Sequence, residues 1–515
     1  MLTKTFLTIT AFVLAQAAPL AADSPLSAID WLSDTVKKPV PVAPWRGMGG
    51  EEAVSKGAAV EDVTVSKLGG PKTDAVGILS VSVTGLPRDF WGDSATADLA
   101  LGIGRAPVNS FPALQELLQL ILLAELNAPL DADQNGALFL ARIDKLLDMG
   151  HLQQAQALLK RAGPTTPQLF RRWFDVALLT GDEDHACEAL RQAPDIAPTF
   201  PARIFCLARN GDWSAAAVTL ETAKALGYID ANQDALLARF LDPELFEGQP
   251  APTRPRHVTP LVFRMFEAIG EPLPTAPLPR AFAVADLRSN IGWKPQLEAA
   301  ERLAKTGAID ENQLLGLYTE RKAAASGGVW ERVAAMQAFD RAYAAKDTEA
   351  IGKILPRIWP QMQRAGLAVI FAKLYGAGLA KLALPEQAAP LAFEIGLLSL
   401  DYETVAKGYK PTTDRERFLQ AIATGDLAKA TATSPKTRAI RQAFLATEPA
   451  ADDARLLKDN RLGEAILKAI TQFPQSSGGD LERARKALTL LRSVGLEDTA
   501  RRAALQLVLL SPEGR

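Results

Sequence analysis

The chain has 515 residues, of which 48% are hydrophobic and 23% charged. Those proportions suit globular folding and exclude a disordered chain. The 57 Lys and Arg nearly cancel the 59 Asp and Glu, and the net charge of -2 calls for neither nucleic acid nor an anionic membrane as partner.

The N-terminus predicts an exported protein. Lys4 gives a positive start, Phe6 to Ala15 a short apolar run, and Ala15-Gln16-Ala17 a small-residue cleavage site. That layout is a secretory signal peptide, assigned to residues 1–22, and it implies a periplasmic or secreted mature protein. The apolar run is too short for ~30 Å of hydrocarbon. No later stretch offers the ~18 uncharged apolar residues of a spanning helix, so no integral membrane segment is expected after signal cleavage.

Residues 23–58 read as an extended segment containing one short amphipathic helix over 25–36. Residues 59–93 are predicted to hold a β-hairpin, because the Val-rich runs 60–67 and 76–83 flank Gly69-Gly70-Pro71. From Ser94 onward the periodicity is helical. Ser110 with Pro112, Thr259-Pro260, Asp310 with Gln313, and Asp480 are helix starts; Gly307, Gly366 and Gly495 are stops. Nine prolines between Pro243 and Pro279 interrupt the rhythm. Residues 94–242 are therefore a first helical lobe, 243–280 a Pro-rich connector carrying one short helix (260–269), and 281–510 a second lobe without sheet. The fold class expected is mainly α: an α-solenoid of stacked helical hairpins in two lobes, with the small β-hairpin element before them.

An internal repeat supports the stacking. Gly150, Gly181 and Gly211 align, with Ala155, Ala186 and Ala216 five residues on and Leu159, Leu190 and Leu220 nine on. Ala162, Ala193 and Ala223 follow at twelve, and Phe139, Phe170 and Phe200 precede each Gly by eleven. The Gly ends one helix, and the Ala, Leu and Ala positions share one face of the next. The segments GHLQQAQALLKRA, GDEDHACEALRQA and GDWSAAAVTLETA resemble the second half of the tetratricopeptide repeat, across about residues 138–226. By that resemblance the first helix of each pair lines a binding groove, whose candidates are Asp144, Asp148, Arg171, Asp175 and Arg209; ordinary surface charge is the alternative for each. Cys187 and Cys206 are the only cysteines. An exported chain meets oxidising conditions, and in tetratricopeptide-like stacking these two positions face each other across a repeat junction. The alternative is two reduced core thiols.

Other chemistry is sparse. Asp131, Asp133, Asn135 and Gly136 open like a calcium loop, but its twelfth position is Arg142, so an acidic helix cap is the better reading. His151 and His185 are expected to be solvated, and His257 lies in a basic stretch of the connector. There is no P-loop, nucleophile elbow or H-E-x-x-H, so no catalytic residue, metal or cofactor is assigned. Phe90 and Trp91 are expected to seat on the core. The reading is an exported, non-enzymatic helical-repeat scaffold whose partner is a protein or peptide of the cell envelope. The alternatives are a glycan-active cell-wall enzyme using Trp293, Trp330 and Trp359 to stack sugars, or a structural subunit of an envelope assembly.

Overall fold

The structure is a computed structural model that describes residues 31–32, 72–473 and 480–511. The expected signal peptide, nearly all of the 23–58 segment and the expected first hairpin arm lie outside the described residues. Among the described residues there are 24 α-helices and four short 3-10 helices. None is long and apolar enough to cross a membrane.

The expected second strand is not present. Residues 76–80 run beside the end of the helix Pro112–Leu123, with Ile78 and Leu79 N–H donating to Leu123 O and Glu125 N–H donating to Leu79 O. The Val-rich tail then turns into the one-turn helix Val81–Thr84, closed by Gly85 at φ 68°. Alternation was a poor guide because this stretch finds its backbone partners at a helix end rather than in a hairpin mate.

Residues 137–225 are helical, with consecutive helices packed on one another. The helices Ala137–Met149, Leu152–Ala162, Pro167–Thr180, Glu183–Gln192, Phe200–Arg209 and Trp213–Ala225 follow in order, each packed on the next. Ala155, Ala186 and Ala216 are fully buried and Leu159, Leu190 and Leu220 nearly so, so small residues admit the close approach and leucines fill what remains. Gly150 and Gly181 end their helices in the left-handed conformation. At Gly150 a side chain is excluded twice over: φ is 86°, and a Cβ would stand 2.8 Å from Leu303 Cδ2. Cys187 and Cys206 meet at disulfide distance, with Cα atoms 4.9 Å apart. They tie helix Glu183–Gln192 to helix Phe200–Arg209.

The Pro-rich stretch holds the helix Pro260–Ala268, capped by the Thr259 side chain. It is anchored rather than free: Arg264 pairs with both Glu183 and Glu267, and Arg288 with Glu267 at 2.8 Å. Residues 281–473 and 480–510 contain helices and no strand.

The end of the chain returns to its beginning. Helix Glu497–Leu509 packs on Pro112–Leu123, and Leu462–Gln472 packs on Thr96–Arg105. Gln506 Oε1 accepts the Ala113 N–H at 3.0 Å, satisfying a first-turn donor from 393 residues away. Glu116 joins three helices through Lys373 and Arg502, each at 2.6 Å. Burial pushes its carboxyl up, but Arg502 and Lys373 outweigh that and hold it below the ordinary value. Phe90 and Trp91 are buried, as expected, beneath Gly463.

Candidate functional site

The five groove candidates have different fates. Asp144 is buried and accepts from both arms of the buried Arg172 guanidinium, at 2.5 and 2.8 Å. Arg171 and Asp175 are also buried. Arg209 is exposed and pairs with Asp184 at 2.6 Å and with Glu183 at 3.6 Å. Asp148 opens onto a cleft. The five lie on the three helices Ala137–Met149, Pro167–Thr180 and Phe200–Arg209, and Asp144 and Arg209 serve contacts within the protein.

The calcium-like loop is used internally. Asp131 accepts from the backbone and side chain of Thr96, and Asp133 holds Asn135. Arg142 is buried and donates to the carbonyls of Leu122, Val76 and Ala124 at 2.8–2.9 Å, with a longer bond to Asp74 O at 3.3 Å. Burial pulls its pKa to about 10, against the opposing pull of Asp74. His151 is a correction: it is fully buried, not solvated, and its Nε2 lies 2.9 Å from Thr306 O. Burial lowers it to about 4, with the nearby Arg280 charge adding to the shift. His185 is exposed. Trp293 and Trp359 are buried, and Trp293 packs against Trp330 with ring centres 5.1 Å apart. Trp293 and Trp359 are part of the core, and Trp330 is half-buried against it.

The cleft itself forms where helix ends from distant parts of the chain converge. One cavity of 720 Å³ is lined by Ser110 and Phe111 at the start of helix Pro112–Leu123, by Arg280, by Arg302 and Lys305, and by Leu510 near the end of the chain. A second, of 560 Å³, shares Asn109, Arg280 and Arg302 with it and adds Asp148, Arg256 and His257. Arg280 opens the 3-10 helix Arg280–Leu287, while Arg302 and Lys305 occupy the end of helix Trp293–Ala304. A helix C-terminus favours cations, so their placement there has a local reason.

The charges do not cancel. Asp148, Glu298 and Glu301 also line the cleft, but each is bound to a cation outside its lining: Lys145, Lys294 and Arg332 respectively. Among the described residues no ion pair is formed by Arg256, Arg280, Arg302 or Lys305. Arg280 donates to Asn109 Oδ1 at 2.8 Å, and Arg302 donates to Thr275 O at 3.0 Å and to Leu278 O. Burial and then the Arg302 charge lower the Arg280 pKa, against the opposing pull of Asp148. Burial lowers Lys305 as well; Glu301 opposes this, and Arg332, Arg280 and Arg302 reinforce it. Chemically this is a site for an anion, with apolar walls at Val369, Leu510 and Val258. Sequence reading noted Arg256 and His257 as basic but missed the rest, because nothing local marks Arg280 and Lys305 as neighbours. No protein-family model, curated protein or solved structure matches this chain, so its fold and site are read from its own residues.

Proposed function

We propose that this chain is an exported helical-repeat scaffold that binds another protein of the cell envelope, with the cationic cleft as its binding site. The observation that carries this reading is the set of four cations in the cleft, Arg256, Arg280, Arg302 and Lys305, none of which forms a close ion pair among the described residues, although Asp148, Asp286 and Glu301 act on three of them at longer range. Consecutive packing of helices across residues 137–225 is consistent with a tetratricopeptide-like solenoid, and stacked hairpins commonly serve to bind. The signal-peptide layout and the cysteine pair at disulfide distance both suit an oxidising compartment outside the cytoplasm. Burial of Trp293 and Trp359, with Trp330 half-buried against Trp293, weakens the sugar-stacking support for a glycan-active enzyme.

The test is crosslinking capture from the envelope with the tagged mature protein and with K305E. Lys305 is solvent-exposed overall though its ammonium is partly desolvated, and it donates no hydrogen bond to the described residues, so the melting temperature of K305E is measured beside its capture. The expected result is a protein captured by the parent and lost from K305E at an unchanged melting temperature. An identical set of captured proteins from both would overturn the assignment of the cleft.

A further inference from the structure

The shape and wall chemistry of the cleft restrict its ligand further. The two cavities, 720 and 560 Å³, run into each other through Asn109, Arg280 and Arg302. Small-molecule pockets span ~300–1,000 Å³, so the combined cleft exceeds what one small oxyanion would fill. Its cations are also spread out: Lys305 lies in one cavity, Arg256 in the other, and Arg280 and Arg302 at the junction. An extended ligand with several separated negative charges matches that layout.

The walls between the charges are aliphatic. Val369 and Leu510 line one cavity, and Val258, Pro277 and Pro279 the other. The aromatic lining residues are Phe111 and Trp31, both buried and engaged edge-on with Phe473 and Phe282. An anionic glycan would seek an exposed ring to stack on; aliphatic side chains between carboxylates would pack on valines and prolines. An arginine fork pairs with a carboxylate through two parallel hydrogen bonds.

We infer that the cleft binds an extended acidic peptide, in which Glu or Asp side chains alternate with aliphatic ones and meet Arg256, Arg280, Arg302 and Lys305 in turn. This inference rests on the cleft being the binding site.

Fluorescence anisotropy of the full mature protein with a labelled peptide of alternating Glu and Val tests it. A Lys-Val peptide and an oligogalacturonate serve as comparison ligands. The acidic peptide is expected to bind, the basic one not to, and the oligosaccharide more weakly. Raising salt towards ~0.3 M should weaken binding, because charges exposed at an open cleft are screened. K305E and R256E, both at exposed positions, should each weaken it about tenfold or more with unchanged melting. No binding of the acidic peptide, equal binding of the basic one, tighter binding of the oligosaccharide, or indifference to both substitutions would each overturn the inference. Envelope capture separates the two levels. Capture lost in K305E without peptide binding overturns the ligand class alone, and capture indifferent to K305E overturns the cleft.

Discussion

Replacing Arg142 with Met tests the logic of the N-terminal packing. The guanidinium holds three carbonyls at 2.8–2.9 Å and a fourth at 3.3 Å, drawn from the end of helix Pro112–Leu123 and from the 74–76 segment. A charge-assisted bond contributes about 1.5–3 kcal/mol. R142M leaves those carbonyls buried without a donor, and it removes the cation beside the buried Asp74. Part of that loss is offset because a guanidinium no longer has to be stripped of water. The net destabilisation expected is on the order of 3–5 kcal/mol. R142K should fall between, since an ammonium keeps the charge but not the planar fork. Urea denaturation followed by circular dichroism gives the free-energy difference, and hydrogen exchange at residues 74–79 should show the earliest loss of protection. An R142M protein within ~1 kcal/mol of the parent, with that segment still protected, would refute the account of Arg142 as the tie between these elements.

His151 gives a pH dependence. Its folded pKa of about 4 lies below its ordinary 6.5, so the unfolded chain takes up the proton first. Its contribution is constant above about pH 6.5, and stability drains as pH falls from there towards 4, by up to about 3 kcal/mol. In H151Q, whose amide can still donate to Thr306 O, that part of the wild-type slope should be missing; parallel slopes would count against it. Thiol counting on unfolded, unreduced protein from the oxidising compartment should find no free thiol, and C187A/C206A should lose about 3 kcal/mol for a closed loop of this length; two free thiols per chain would contradict the pairing. R171E and D175R should each destabilise by several kcal/mol, about 3–5 where a buried charge loses its partner, so melting temperature and partner capture should fall together. Capture lost at unchanged melting would instead make them contact residues.

What the sequence disclosed was local. Asp310 caps Gln313, Thr259 caps Val262, and Asp480 caps its own helix, as their spacing indicated. The Gly stops at 307, 366 and 495 all have positive φ. The first cap fails instructively: Phe111, not Ser110, is the cap of Pro112–Leu123, and the missing donor partner comes from Gln506. No short-range rule could supply that residue. The same holds for the candidate site. Asp148 was legible as a polar position on a repeat helix, but Arg280 and Lys305 gain their meaning from a convergence of helix ends that leaves no period in the sequence. The burial of Asp144, Arg171 and Asp175 was hidden for a related reason: a charged residue reads as surface until its buried counterpart, such as Arg172 for Asp144, is known.

The return of the last helices onto the first sets an order on biosynthesis. Leu114, Leu118 and Ile121 emerge from the ribosome early, yet the helix they belong to obtains its Gln506 cap and its Arg502 tie only once those distant residues have been made. Until then an apolar helix face has no cover, which is the situation in which large chains aggregate or misassemble. The repeat helices, whose partners lie next to them in sequence, can consolidate during that interval because local contacts form fast. Nascent chains stopped before residue 497 should therefore carry a structured middle and a sticky front, and depend on a holding chaperone until the terminus arrives.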